Sequence, residues 1–344
     1  MRDTWVTNAT TSASRPSSAA GEGAPTRNTH PVRVGVHSGQ QYGSFRELDA
    51  LWTTAEELGF DWVSLFDHYR PLLGDLDGPC LDSLTSLAAL AARTDRVRCA
   101  LMVAAPAWRH PALLANAVAT VDLISGGRVE LGVGAGGSDR GYEQFGIERP
   151  GAGERHEILD EYCAVVTGLL RQPSFSFSGR YYQLRDAHVS PRPAQPVPLT
   201  VGATGERKGL RVVARWADNW NTIVLPIPVY ARKAEVLERW CSAEGREPTR
   251  IRRSITFRTV LSSSPSRTRE RRQAYREGLG PEHPDLHEHL DADTPEELLD
   301  TLGRYAELGV TDFLLALRPP LDVETLEVFA TEVVPALRGQ ASDG

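Results

Sequence analysis

Lysine is nearly missing from this chain: Lys208 and Lys233 are the only two among 38 basic residues, and arginine supplies the rest. Such a bias points to a GC-rich genome and not to a binding surface. With 45 acidic residues and a formal net charge of −7, there is no basic excess for nucleic acid. Cysteine is scarce as well. Cys80, Cys99, Cys163 and Cys241 lie far apart without a CxxC pair, so neither a disulfide framework nor a structural metal site is expected, and the thiols read as reduced and cytoplasmic. No apolar run reaches the roughly 18 residues that span a bilayer, and the N-terminus has no hydrophobic leader core, so no membrane contact is expected. What is present is length and apolar content: 344 residues at 41% hydrophobic can fill one α/β barrel or two average domains.

The first 30 residues are rich in Ser, Thr, Ala, Gly and Pro with no apolar period, which predicts a disordered tail over 1–30. From Val32 onward strand-like and helix-like segments alternate. Strands are expected at Val32 to Val36, Trp62 to Phe66, Val97 to Val103, Val129 to Val133, Leu199 to Val201, Asn219 to Ile223, Ile251 to Leu261 and Asp312 to Leu317. Helices fill the gaps: one places Leu48, Leu51, Ala55 and Leu58 on a single face, and another opens at Pro111 and closes at Ser125-Gly126-Gly127. Two insertions interrupt the alternation. Residues 171–197 contain aromatic residues flanking Ser178-Gly179, as in a hairpin, and residues 262–293 carry charge and proline without a core pattern. Eight βα units over 31–340 predict a single (β/α)8 TIM barrel, although a doubly wound open sheet has a similar linear pattern.

Within that frame three segments carry chemistry. The run Trp62 to Pro71 delivers Asp67 and His68 to the end of a buried strand, where an imidazole can move protons near neutral pH; the plainer reading is a strand-capping histidine. Gly134, Gly136 and Gly137 follow the fourth strand, where absent side chains let a planar ligand approach the backbone. Gly202, Ala203, Thr204 and Gly205 follow the fifth strand and precede a helix, so free amides, the Thr204 hydroxyl and Arg207 suit a phosphate. Neither turn matches a dinucleotide fingerprint or a P-loop, and each alone is more often a plain tight turn.

These residues resemble a family. The run Val63 to Pro71, Trp108-Arg-His-Pro-Ala112, Asp122 to Arg128 leading into Leu131 to Gly136, Ser178 to Tyr182, Pro191 to Pro198 and Ala217-Asp-Asn-Trp220 look like the luciferase-like monooxygenase superfamily in order and spacing. The wording Asp67-His68-Tyr69 resembles its branch that uses the deazaflavin coenzyme F420, a hydride carrier, whereas the FMN-dependent oxygenases more often show a Glu-His-His-Phe type of sequence. The resemblance implies an oxidoreductase acting on a small-molecule substrate. His68 would face the cofactor ring, and Asp67 would orient it or line the same pocket. It also implies a bulge in the third strand with a non-prolyl cis peptide near Leu101-Met102, behind the ring. Homodimers are frequent in this superfamily.

The sequence departs from the sugar-phosphate dehydrogenases of that branch at one informative place. They carry a proton-donating glutamate just after the strand-four glycines, and here the position is Gly137. Either Asp139 or Glu143 supplies a carboxylate from the same loop, or the missing group leaves space for a larger substrate; Glu143 reads equally as a helix-surface charge. Two other readings remain: an FMN-dependent monooxygenase served by a separate flavin reductase, and a non-catalytic flavin-binding barrel. Finally, Arg250 to Arg276 holds nine arginines, either a solvated face or a grip for the anionic oligoglutamate tail of the deazaflavin.

Overall fold

Residues with short, β-branched or aromatic side chains form ten strands, and the computed structural model describes residues 30–72, 75–137, 141–279, 288–317 and 321–340. The expected N-terminal tail lies almost wholly outside the described residues. The strands are β1 (Arg33–Ser38), β2 (Trp62–Leu65), β3 (Arg98–Ala104), β4 (Val129–Gly134), β5 (Phe175–Ser178), β6 (Gln183–Ala187), β7 (Leu199–Gly202), β8 (Asn219–Ile223), β9 (Arg252–Phe257) and β10 (Asp312–Leu317). Eight of them close into a parallel barrel in the order β1-β10-β9-β8-β7-β4-β3-β2, and the pairing of β1 with both β2 and β10 rules out the open sheet. The other two, β5 and β6, make the antiparallel hairpin anticipated around Ser178-Gly179.

The helices are α1 (Phe45–Glu57), α2 (Ser83–Arg93), α3 (Pro111–Ser125), α4 (Gly141–Gln144), α5 (Ala152–Arg171), α6 (Gly209–Trp216), α7 (Ile227–Ala243), α8 (Pro265–Leu279), α9 (Pro295–Glu307), α10 (Val323–Val328) and α11 (Val334–Gln340), with a π-helical turn at Phe329–Val333. Local chemistry sets their ends. Ser44 and Glu47 form a reciprocal capping box at α1, and α3 starts at Pro111 and stops at Gly126, which adopts φ 70°. The insertion at 262–293, which shows no core pattern in the sequence, contains α8. Its periodicity escaped notice because only Thr268 among its side chains is buried, so there is no apolar stripe to read.

Side chains alternate across each barrel strand. Val34, Val36, Val63, Leu65, Cys99, Leu101, Phe313 and Leu315 join the core between barrel and helices. The alternate residues fill the barrel in layers. At the N-terminal end lie ions: Arg33 donates to Glu130 and Asp312, both at 2.6 Å, Arg98 also binds Glu130, and Arg252 binds Asp312 at 2.5 Å. Above them Trp62, Ala100, Met102 and Leu314 pack as an apolar plug, with the Arg33 guanidinium 5.2 Å from the Trp62 ring centre. Towards the strand C-termini the lining turns polar, with His37, Ser64, Asn221, Ser254 and Thr256. That end faces the loops that carry the candidate site.

Candidate functional site

His68 sits three residues past the end of β2, half-buried, with its ring 5.4 Å from that of Phe66. Its backbone carbonyl accepts the Cys80 thiol at 3.4 Å. The neighbouring Asp67 is almost completely buried, and both its oxygens accept Arg109 Nη1 at 2.6 Å, with Ser83 Oγ as a further donor. Arg109 Nη2 reaches Asp82 at 2.9 Å. Burial works against the Arg109 cation, but the Asp67 carboxylate more than offsets it and holds the guanidinium above its ordinary range. Asp67 therefore braces the loop after β2 against the loop after β3 and the start of α2. Its geometry is that of a strut; the resemblance implied that it orients His68 or lines the same pocket.

An aromatic wall rises beside this brace. The Tyr69 ring meets Trp108 at 5.3 Å, Phe145 at 5.5 Å and the Arg109 guanidinium at 5.3 Å, while Trp108 meets Tyr142 at 4.6 Å. Phe145 is 55% exposed, so the wall has an open edge.

The irregularity expected in β3 is present: the pairing with β4 slips between Leu101 and Ala104, and the non-prolyl cis bond is Met102-Val103, one residue beyond the implied position. Leu101 points into the outer core and Met102 into the plug, and Val103 is the residue that comes forward. A Cβ on Gly134 would stand 2.7 Å from Val103 Cγ2, and one on Gly202 would stand 3.1 Å from Cγ1. The sequence left the space over Gly134 to a planar ligand and the Gly202 turn to a phosphate; in the structure the half-buried Val103 packs over both glycines. Gly136 (φ 75°) lies under the Tyr142 hydroxyl, whereas a side chain at Gly137 would meet nothing within 4 Å. Of the proposed substitutes for the missing glutamate, Glu143 is exposed on α4, and Asp139 lies outside the described residues.

The turn after β7 is fastened from behind. The carbonyls of Ala203, Thr204 and Glu206 accept Trp220 Nε1 (2.8 Å), Lys233 Nζ (2.7 Å) and Trp240 Nε1 (2.8 Å) respectively. Thr204, Gly205 and Arg207 are exposed in front of the α6 N-terminus. His156 of α5 leans over the same turn: its Nε2 lies 3.7 Å and 3.4 Å from where side chains on Gly205 and Gly209 would begin, and its Nδ1 donates to the Ala152 carbonyl at 2.8 Å. Among the described residues no cluster of three or more His, Cys, Asp or Glu could hold a metal, and no helix is long and apolar enough to cross a membrane.

Four participants were not singled out from sequence. His37 obeys the strand-end logic applied to His68, and Arg109 lies inside a motif already noted. Val103 and His156 had no local signal, since each acquires meaning from a neighbour distant in sequence.

Residues 28–317 match the family described as luciferase-like monooxygenase. A protein of Microbacterium testaceum, named F420-dependent glucose-6-phosphate dehydrogenase, is 37% identical over 196 residues, which is 56% of this chain and 57% of that one. The chain thus spans little more than half the length of that curated relative. Among solved structures, an F420-dependent secondary alcohol dehydrogenase in complex with an F420-acetone adduct superposes with a TM-score of 0.76 at 21% identity, covering 90% of this chain and 99% of that one. Riboflavin lyase with modified FMN gives 0.77 at 17% identity, covering 90% and 92%. At such identities the structural likeness speaks for the fold.

Proposed function

The chain belongs to the luciferase-like monooxygenase family, and from that premise we propose that it is a coenzyme F420-dependent oxidoreductase moving a hydride to or from a small, uncharged organic substrate. The observation that carries this is the strand order. Since β7, β4, β3 and β2 run side by side, the exposed turn at Thr204–Arg207, the Val103 platform and His68 follow one another across a single barrel mouth. The similarity to a protein named for F420 selects the deazaflavin from the cofactors such a mouth accommodates.

The residues fit that group. Thr204, the Gly205 amide, Arg207 and His156 would hold its phosphate at the start of α6, and Val103 would support its ring. When bound, the deazaflavin supplies a ring carbon that accepts or donates a hydride. His68 takes the proton of a substrate hydroxyl during oxidation and returns it during reduction. Asp67 keeps the loops bearing His68 and Trp108 in register through Arg109.

The basic side chains on the nearby loops bear on the substrate. Arg70 is closed on Asp77 (2.5 Å), Arg109 on Asp67 and Asp82, and Arg258 on Glu288 (3.4 Å). Among the described residues these three arginines are already paired, and Gly137 stands where the sugar-phosphate enzymes keep their acid. The aromatic wall of Tyr69, Trp108 and Phe145 suits an apolar substrate instead.

Titration of the apoprotein with F420 and with FMN, followed by fluorescence, tests the reading. We expect F420 to bind at least about tenfold more tightly, a difference near 1.4 kcal/mol. Equal or tighter FMN binding overturns it in favour of a flavin-dependent oxygenase supplied by a separate reductase.

A further inference from the structure

We propose that His37, held by Ser64, is a second proton-transfer residue of this site, doing the work for which the chain has no carboxylate at Gly137. The inference rests on the hydride-transfer reading above. In oxidation of a carbinol, the C–H bond breaks with its electron pair going to the cofactor ring, the O–H bond breaks, and the carbonyl π bond forms. The net change on the cofactor is one hydride plus one proton. One proton therefore leaves substrate oxygen and one must be delivered to the ring; reduction runs both transfers backwards. The proton released equals the proton required, and two imidazoles can divide the transfers, one at the substrate oxygen and one towards the ring.

His37 is placed for the second transfer. It lies one residue before the end of β1, facing into the barrel at the C-terminal end, and it is half-buried. Its Nδ1 is 2.8 Å from Ser64 Oγ, the inward side chain in register with it on β2. A hydroxyl both donates and accepts, so the ring can gain or lose a proton there without losing this hydrogen bond. The Phe66 ring links the two imidazoles, 6.2 Å from His37 and 5.4 Å from His68, which puts both on one side of the mouth.

The charges around His37 come from several elements. On the β10 side its register partner is Ala316, whose carbonyl accepts Arg258 Nη1 at 3.4 Å, and Arg258 is itself paired with Glu288. On the β2 side stand His68 and the Asp67–Arg109 pair, and the β3 neighbour Met102 is uncharged.

Three measurements test this. Replacing His37→Gln, which keeps a hydrogen-bonding group towards Ser64, should lower kcat about tenfold or more while changing KM less than about threefold, and should remove one limb of the pH–rate profile. Ser64→Ala, with both imidazoles retained, should displace that same limb. In the apoprotein, nitrogen-detected NMR should show the His37 ring titrating between about pH 5 and 8, with the titration moved by Ser64→Ala. The proposal is overturned if the His37→Gln enzyme keeps both limbs and a kcat within about twofold of the parent, or if the ring holds one protonation state throughout. Thermal melting identifies a variant that has merely lost its fold, in which case the NMR titration of the parent decides. Failure of the parent to turn over F420 at all is a separate result, and it strikes the cofactor reading.

Discussion

His156 owes its position to Ala152, one helical turn earlier, whose carbonyl can only accept and so fixes Nδ1 as the donor. Nε2 is thereby turned towards Gly205 and Gly209, where an anion at the α6 N-terminus would rest. Protonated at Nε2, the ring donates a charge-assisted bond of about 1.5–3 kcal/mol. His156→Ala should accordingly weaken F420 about tenfold or more while leaving a phosphate-free deazaflavin analogue bound as before; equal losses for the two ligands would assign His156 to the helix alone. Histidine at this position was not legible from sequence. Nothing around residue 156 marks it, and its relation to Gly205 exists only after α5 and α6 pack. His68 was legible because a strand end announces itself in the run Trp-Val-Ser-Leu-Phe. Asp67 was found too, but its bond to Arg109 joins two loops 42 residues apart, which no local pattern encodes.

Helix α8 makes the corresponding point for whole elements. The eight barrel strands could be read because each presents apolar residues to the helices at a period of two. No such stripe exists in α8, which docks through charge. Arg267 binds Glu324 at 3.0 Å, Arg269 binds Asp293 at 2.7 Å, Arg271 and Arg272 bind Asp322 and Asp293, and Arg276 binds Asp291. Glu324, held by Arg267 and Ser262, is drawn down to about 2. An anionic cofactor tail would have to displace these carboxylates, so the arginine-rich segment is a clasp before it is anything else. Replacing Arg271 and Arg272 together with Ser should speed amide exchange and proteolysis across residues 265–279, and high salt should do the same to the parent protein, because exposed pairs are screened. F420 affinity should stay within about threefold. A large, tail-dependent loss would instead make these arginines part of the cofactor site.

For the molecule as a whole the decisive group is Asp312. Burial alone would push its carboxyl up, yet Arg33 and Arg252 reverse that and hold it below the ordinary carboxylate range. A depressed folded value means its stabilising contribution is complete above the unfolded pKa of about 3.9 and disappears as pH falls through the folded one. Melting temperature should thus hold from neutrality down to roughly pH 4 and drop steeply below. Asp312→Asn should lower stability at neutral pH by about 3–5 kcal/mol, since Arg252 loses its carboxylate partner and Arg33 is left with Glu130 alone, and its melting curve should respond less to acid than the parent's. If the variant melts like the parent, the ion layer is decorative.

That layer, with Trp62, Ala100 and Leu314 stacked on it, also leaves the barrel blind at one end. Among the described residues no passage runs along the barrel axis, so the half-buried ring of His37 exchanges with solvent from the side of the strand C-termini.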